Sequence, residues 1–272
     1  MSFSPGCPSS LPASGRIDCT VCHGGRSVDF DRTQRVSQDG DWRITANPLA
    51  WGNPNAEVVV LGFSKGPTQA GELATTPHDQ IAYKGGRVAV GKILANVGLI
   101  DGGDNGHLRT AVDRLIADPA GRFHFGSLIR CTVERREGTT WKGTGGGMLD
   151  GFVADPFGRE VATNCARRFL ANLPASTRLV VMFGMGTKGN YIRQARALVQ
   201  QARPGRWRTV NEVAYADEKV TFVHVEHFAS QGNLLPRWLG EGGHDRGQLG
   251  IRAREAVIAA LAPRSISPPT AA

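Results

Sequence analysis

No stretch of the sequence approaches the about 18 consecutive apolar residues that a membrane-spanning helix needs. The N-terminus also lacks the order of a secretory signal, a basic segment followed by an apolar one. Acidic side chains are in the minority, with 24 Asp and Glu against 32 Lys and Arg, and the net charge is +8. We therefore expect a cytoplasmic protein with no membrane partner and with an anionic partner, nucleic acid first, although many basic proteins bind no polyanion.

Cysteine is scarce, with five residues in 272. In a reducing compartment these are poor candidates for disulfides, so CTVC (Cys19 and Cys22) is interpreted first as a ligand pair. Cys131 ends a predicted strand and Cys165 lies on a predicted helix, which completes a set of four. Such a set suits tetrahedral thiolate ligation of zinc or of an iron-sulfur cluster. Alternatively, Cys131 and Cys165 are small hydrophobic residues buried in the core.

The pattern of apolar runs predicts one α/β domain over residues 17–262, with 1–16 and 263–272 as disordered Pro-rich tails. The predicted strands are 57–63, 123–131, 178–184 and 220–225. The predicted helices are 87–98, 107–117, 158–172, 188–202 and 249–262. The strands are apolar on both faces, as in a parallel sheet between two helical layers, so sites are expected at the carboxyl ends of the strands.

Two glycine-rich segments receive separate interpretations. Residues 134–157 contain REGTTWKGTGGGM and are predicted to be a long surface loop or lid. GMGTKGN, after the third strand, lacks the complete phosphate-loop pattern, which excludes nucleotide hydrolysis as the leading function.

The order of these motifs resembles the uracil-DNA glycosylase superfamily, and more narrowly its iron-sulfur branches. The matching pieces are CTVC, VVVLGFSKGP, IAYKGGRVAVGKILANVGL, SLIRC, NCARRFL, RLVVMFG and HFASQGN. They extend from residue 19 to about residue 233 in the order found in that family. The interval between Cys131 and Cys165 is longer than the family usually has.

The resemblance implies a three-layer α/β/α fold around a central four-stranded, mainly parallel sheet. It also implies a [4Fe-4S] cluster held by Cys19, Cys22, Cys131 and Cys165, with structural zinc as the fallback. In that family the cluster ties chain segments together near the DNA-binding face and does no redox chemistry during base removal.

The loop GFSKGPTQ is the first pocket motif under this resemblance. Its glycines expose backbone N–H groups and let a base or phosphate approach, although the spacing alone also fits an ordinary tight turn. Relatives carry a carboxylate where this chain has Phe63, or in one branch an Asp where it has Gly86. The expected substrate-binding residues here are Gly62, Phe63, Ser64 and Lys65.

Four further residues complete the expected pocket. Asp79, with His78 beside it, is a candidate for polarising water, or else a solvated turn residue. Tyr83 matches the aromatic that stacks on the flipped base, or is a core aromatic. Ser127 stands where uracil readers place an Asn, which implies a wider pocket, unless it faces another strand.

His227 occupies the His-Pro-Ser position of the family, where the histidine donates to the departing base, and Phe228 replaces the proline. A strand-end histidine is otherwise a packed or capped residue, and His224, within the strand, is interpreted as structural. Ser230, Gln231 and Asn233 are expected to bind phosphates or to wedge into the duplex. Phosphate contacts are also expected from Lys65, Arg130, Arg135, Arg136, Lys142, Lys188, Arg193 and Arg237.

The resulting expectation is a monomeric, monofunctional DNA glycosylase that flips out a base and hydrolyses its glycosidic bond. Because the Asn and the carboxylate of uracil readers are absent, a modified pyrimidine, such as a hypermodified cytosine of phage DNA, is favoured over uracil. The alternatives are a catalytically inactive relative that binds abasic or single-stranded DNA, and a zinc-bound protein that processes RNA or nucleotides.

Overall fold

The computed structural model describes residues 11–66, 72–143, 148–186, 190–230 and 232–263. Its strands are β1 (Gly15–Arg16), β2 (Gln34–Val36), β3 (Trp42–Thr45), β4 (Leu49–Gly52), β5 (Val58–Gly62), β6 (Phe123–Ser127), β7 (Thr132–Glu137), β8 (Thr140–Lys142), β9 (Leu179–Phe183), β10 (Arg208–Asn211), β11 (Ala214–Ala216) and β12 (Thr221–Val225). Its α-helices are α1 (His78–Ile81), α2 (Arg87–Asn96), α3 (Asn105–Ala117), α4 (Met148–Ala154), α5 (Pro156–Leu170), α6 (Asn190–Ala202), α7 (Leu234–Trp238) and α8 (Asp245–Leu261).

The four strands predicted from the sequence are adjacent and parallel, in the order β6-β5-β9-β12. The sheet is wider than the expected four strands, however, because antiparallel strands extend both edges. The order in the described chain is β1-β4-β6-β5-β9-β12-β11-β10, which makes eight strands. The α/β class is therefore confirmed, with a mixed sheet.

The strands carry apolar side chains on both faces, so each face supports a core of its own. Val58 and Val60 belong to the core that contains α2, α3, α7 and α8. Val59 and Leu61 alternate with them and belong to the core that contains α4, α5 and α6. We call these the α2 face and the α5 face of the sheet. The alternation decides on which face every later residue of these strands lies.

A second, antiparallel sheet, β2-β3-β7-β8, packs into the core of the α5 face through Trp42, Ile44 and Val133. This sheet and α4 correct the interpretation of 134–157 as a surface loop. Within that range β7 and β8 pair, and Phe152 of α4 is completely buried. Residues 144–147 lie outside the described residues.

The N-terminal boundary is also corrected. Leu11 is buried in the core of the α5 face, and β1 pairs with β4, so residues 11–16 belong to the fold although they were assigned to a tail. Residues 1–10 and 264–272 lie outside the described residues. No helix in the described ranges is long and apolar enough to cross a membrane.

Two helices that position the site begin at aspartate caps. The side chain of Asp104 accepts a hydrogen bond from the backbone N–H of His107 at the start of α3. The side chain of Asp155 accepts one from Phe157 at the start of α5, and Pro156 occupies the first turn. Both caps satisfy N–H groups that a helix leaves without partners, so these helix starts are encoded locally.

Candidate functional site

Three of the four cysteines in question are buried within one core, and the fourth packs against it. Cys22 lies on the 3₁₀ turn Val21–His23, Cys131 directly precedes β7 and Cys165 lies on α5. All three are buried in the core of the α5 face, with Cys19 half-buried against it. The fold thus collects on one face four residues that are far apart in sequence.

Burial also alters the acidity of these thiols. It raises the pKa of Cys22 to about 12, and it raises the pKa values of Cys131 and Cys165. The cysteines act on one another as well, since Cys19 raises the pKa of each of the other three. These effects favour the neutral thiols, and thiolates here would need a positive charge beside them.

One polar contact reaches this cluster from α5. The side-chain amide of Asn164 donates to Cys22 Sγ over 3.7 Å. In the described ranges, no three or more His, Cys, Asp or Glu side chains form a group that could hold a metal ion. A four-iron cluster takes one thiolate at each iron, so its ligands stand farther apart than those of a single ion.

The carboxyl ends of the parallel strands form a second group of interest on the α2 face. Gly62 and Ser127 pair at the ends of β5 and β6, and Phe183 and Val225 pair at the ends of β9 and β12. By alternation, Gly62 and Ser127 follow Val60 and Phe125 onto the α2 face. Both residues therefore lie on the same face of the sheet as Tyr83 and Phe228.

Four aromatic rings cluster at this end of the sheet, and we call them the aromatic cage: Tyr83, Phe125, Phe183 and Phe228. The Tyr83 ring meets Phe125 of β6 at 6.0 Å and Phe183 of β9 at 5.7 Å between centroids. Because β5 lies between those strands, Tyr83 lies over the end of β5. Gly62 is buried there, yet among the described residues, its two chain neighbours aside, no atom stands within 4 Å of the place that a Cβ would take. In that part of the chain, space therefore adjoins Gly62 at the cage.

Phe228 closes the cage on one side. Its ring lies 5.1 Å from Tyr83 and 5.4 Å from Phe183. A Cβ on Gly86 would come within 2.6 Å of Phe228 Cδ2. The ring thus occupies the space that any side chain at position 86 would need, which gives a steric reason why an Asp is absent there.

His227 stands beside Phe228 with its protonation pattern defined. The backbone N–H of Ala229 donates to Nδ1 of His227 over 3.1 Å, so the neutral ring carries its proton on Nε2. Burial lowers the pKa of His227, which favours that neutral form. Among the described residues Nε2 has no hydrogen-bond partner, and the ring stacks on Phe228 at 4.6 Å. The imidazole can therefore donate one hydrogen bond to a ligand.

Glu226 is a residue of this site that the sequence did not reveal. It is 3% exposed, and its Oε1 accepts the backbone N–H of His227 over 3.0 Å. Its Oε2 accepts from Arg246 on α8 over 2.5 Å. The pair fixes the chain at His227. No motif marks it, because Arg246 follows 20 residues later and only the fold brings the two together.

The remaining members of the expected pocket are distributed unevenly. Phe63 turns to the α5 face and packs against Phe152 at 6.3 Å. The Ser64 hydroxyl donates to the neighbouring carbonyl of Lys65 over 3.3 Å. Asp79 is exposed, while the ring of His78 stacks on Trp51 and bonds the carbonyl of Ala50, which gives His78 a structural role.

Two expected substrate or DNA contacts are wrong. Lys65 is 7% exposed and Arg130 1% exposed, so neither can reach a phosphate. The Lys65 ammonium donates to the carbonyl of Arg130, and the Arg130 guanidinium lies against Gly126 and the ring of Phe169. The sequence analysis placed both side chains at the protein surface because arginine and lysine are rarely buried.

The other proposed phosphate contacts lie at the surface or outside the described residues. Lys142 pairs with Glu137 over 2.8 Å, as does Arg135, while Arg136 pairs with Asp41 over 3.3 Å. The exposed ones are Lys142, Arg136, Arg193, Asn233 and Arg237. Gln231 and Lys188 are not among the described residues.

Two buried hydroxyl groups near His227 have no partner in the described structure. They are Tyr83 Oη and Ser230 Oγ. Ser230 is tied to His227 through its backbone, N to O, over 2.9 Å. Buried hydroxyls are normally hydrogen-bonded, so a ligand that reaches either group would give it a partner.

No protein-family model matches this chain, and no curated protein matches it significantly.

Proposed function

We propose that this protein is a DNA glycosylase that flips out a non-standard base and hydrolyses its glycosidic bond. The observation that carries the proposal is His227, held with Nε2–H free beside the aromatic cage at the carboxyl end of the sheet. The motif order, which resembles that of the iron-sulfur branch of the uracil-DNA glycosylases, supports the proposal. The four adjacent parallel strands of this chain also support it. The net charge of +8 suits a DNA partner.

The chemistry assigned to His227 follows from its tautomer. When the glycosidic bond breaks, negative charge develops on the departing base and positive charge on the sugar. A hydrogen bond from Nε2 stabilises the base as that charge forms. Glu226, paired with Arg246, accepts the backbone N–H of His227 and holds the histidine in place. The site therefore needs little reorganisation when the glycosidic bond breaks. Asp79 remains our candidate for orienting the attacking water.

A modified pyrimidine is the target that the small residues Gly62 and Ser127 favour. Gly62 leaves space below the cage, and Ser127 is shorter than the Asn that the resemblance places at that position. A base with a substituent on its ring would use this space, and the free hydroxyls of Tyr83 and Ser230 offer it hydrogen bonds. A hypermodified cytosine, as in phage DNA, meets these requirements.

We propose that Cys19, Cys22, Cys131 and Cys165 hold a [4Fe-4S] cluster, with zinc as the alternative ion. The residues fit this group because the fold gathers all four cysteines at one core, three of them buried, where thiolates would need a metal to neutralise them. When bound, the cluster supplies a covalent tie between the N-terminal turn, the start of β7 and α5.

A second function, a catalytically inactive protein that binds abasic or single-stranded DNA, is favoured by one specific observation. Phe63 turns away from the cage and Gly86 is covered by Phe228, so neither position offers a carboxylate. The carboxylate next to His227, Glu226, is engaged by Arg246.

One assay distinguishes the two functions. Oligonucleotides containing uracil, hypoxanthine, hydroxymethylcytosine or glucosylated hydroxymethylcytosine are incubated with the protein and then cleaved with alkali. The glycosylase proposal expects an alkali-sensitive abasic site with at least one modified pyrimidine. DNA that shifts in a gel while no substrate becomes alkali-sensitive would support the binding protein and reject the enzyme.

A further inference from the structure

Lys65 and Arg130 are two buried cations on the α5 face of the sheet. Their exposed fractions are 7% and 1%. The Lys65 ammonium donates to the carbonyl of Arg130, the residue directly before Cys131. Arg130 contacts the ring of Phe169 at 4.9 Å, one helical turn beyond Cys165 on α5. Both cations therefore adjoin the cysteine cluster.

Neither cation forms a salt bridge with a carboxylate in the described ranges. The Arg130 guanidinium reaches one carbonyl, that of Leu49, over 3.5 Å, and its Nε and Nη2 have no partner in that part of the chain. The Asp31 carboxylate acts on Lys65, but more weakly than Cys131 and Cys165 do. Buried charges without partners are strongly destabilising, so an anion is expected nearby.

The cysteines can supply that anion only when they bind a metal. A free thiol is mostly protonated at neutral pH and carries no charge. Four thiolates around a dication, either Zn²⁺ or an oxidised four-iron core, leave a net negative charge of about two units. Lys65 and Arg130 provide two positive charges beside the group.

We propose that Lys65 and Arg130 are the internal counter-charges of a metal–thiolate centre formed by the four cysteines. This inference rests on the metal centre that accompanies the proposed function, but not on base removal. The two cations stabilise the loaded centre and destabilise the metal-free protein. Lys65 also belongs to the loop after β5, so the centre and the cage share a chain segment.

The test uses the full chain, purified without oxygen and reconstituted with iron and sulfide. Lys65→Met and Arg130→Met keep an apolar stem but remove the charge. Each variant should lose metal to a chelator about 10- to 100-fold faster than the wild type, as other losses of groups around metal ligands do. Arg167→Met is the matched control, because Arg167 is exposed and lies on α5 two residues from Cys165.

The sign of the stability change separates this role from a simple packing role. Without metal, the Met variants should melt at a higher temperature than the wild type, because an uncompensated buried charge is gone. With metal, they should melt at a lower temperature. Arg130→Lys retains the charge and should retain most of the metal.

Three outcomes would overturn the inference. They are a wild type that binds neither iron nor zinc, Met variants that hold metal as firmly as the wild type, and metal-free Met variants less stable than the metal-free wild type. Metal retention and melting are measured without DNA. A protein that releases no base yet shows the expected reversal would reject the glycosylase proposal and leave the counter-charges in place.

Discussion

Within the described part of the chain, His227 has one ring nitrogen engaged and the other without a partner. Ala229 occupies Nδ1, and Glu226 holds the backbone N–H of the same residue, so the ring is positioned from both sides. Burial lowers the pKa of His227 and keeps it neutral around neutral pH. A neutral donor needs no proton from solvent to stabilise a departing base, which fits its assigned role.

Replacing His227 with Ala should lower single-turnover base release by about 10²- to 10³-fold, as the loss of one donor to a developing anion typically does. DNA affinity measured by fluorescence anisotropy should change little, because the phosphate contacts remain. His244→Ala is the control, since His244 is exposed at the start of α8. Unchanged release in His227→Ala would remove this residue from the mechanism.

At the scale of elements, the cage depends on how the loop before α2 meets the loop after β12. Gly86 and Phe228 are in contact, and Gly86 has an ordinary φ of −114°. An alanine there is thus acceptable to the backbone, and only the Phe228 ring stands in its way. The two loops are coupled through this contact.

Gly86→Ala should destabilise the protein by about 1–3 kcal/mol, because the Phe228 ring must move. Phe228→Ala removes the obstacle, so the double variant should be more stable than the sum of the two single losses predicts. Urea unfolding of the four proteins measures the coupling. Gly102→Ala, with nothing near its Cβ, is the control, and strictly additive losses would contradict the contact.

The sequence predicted the elements whose signal is local. β5, β6, β9 and β12 are runs of apolar residues, and the predicted helices appear within a few residues of their expected bounds. The strand β3 was missed because it is short and because one of its two partners, β7, lies about 90 residues away. The helix α4 was missed because glycines precede it, yet it buries Met148, Leu149, Phe152 and Val153.

At the site, the local sequence pattern predicted which residues lie at the strand ends. It did not predict which charged side chains are buried. Gly62 and Ser127 end strands and His227 follows one, and parallel strands end at the same edge, so their convergence was predictable. The burial of Lys65 and Arg130 was not, because it depends on what lies across the α5 face. Glu226 was missed for the same reason, since its partner Arg246 is remote in sequence.

At the scale of the whole molecule, stability should depend on buried neutral histidines. His224 is completely buried, bonds Gly184 O over 3.0 Å and Tyr215 Oη over 3.3 Å, and burial lowers its pKa from 6.5 to about 4. The unfolded chain therefore binds the proton first as the pH falls. This confirms the structural role expected of His224.

The free energy of unfolding should fall as the pH drops from about 6.5 towards 4, by at most about 1.4 kcal/mol per pH unit for His224. Above pH 6.5 this histidine contributes no pH dependence, because it is neutral in both states. Urea unfolding at intervals between pH 7 and pH 4 checks the slope. A free energy that stays constant as the pH falls would contradict the buried neutral ring.

The proposed reaction is the release of a base from DNA with a hydrogen bond from His227. The most direct measurement is mass spectrometry of the small molecules released when the wild type and His227→Ala meet oligonucleotides carrying a modified cytosine. We predict an intact free base from the wild type, an unbroken strand with an abasic site, and little free base from the variant. Equal amounts of free base from both proteins, or none from the wild type with any modified or deaminated base, would contradict it.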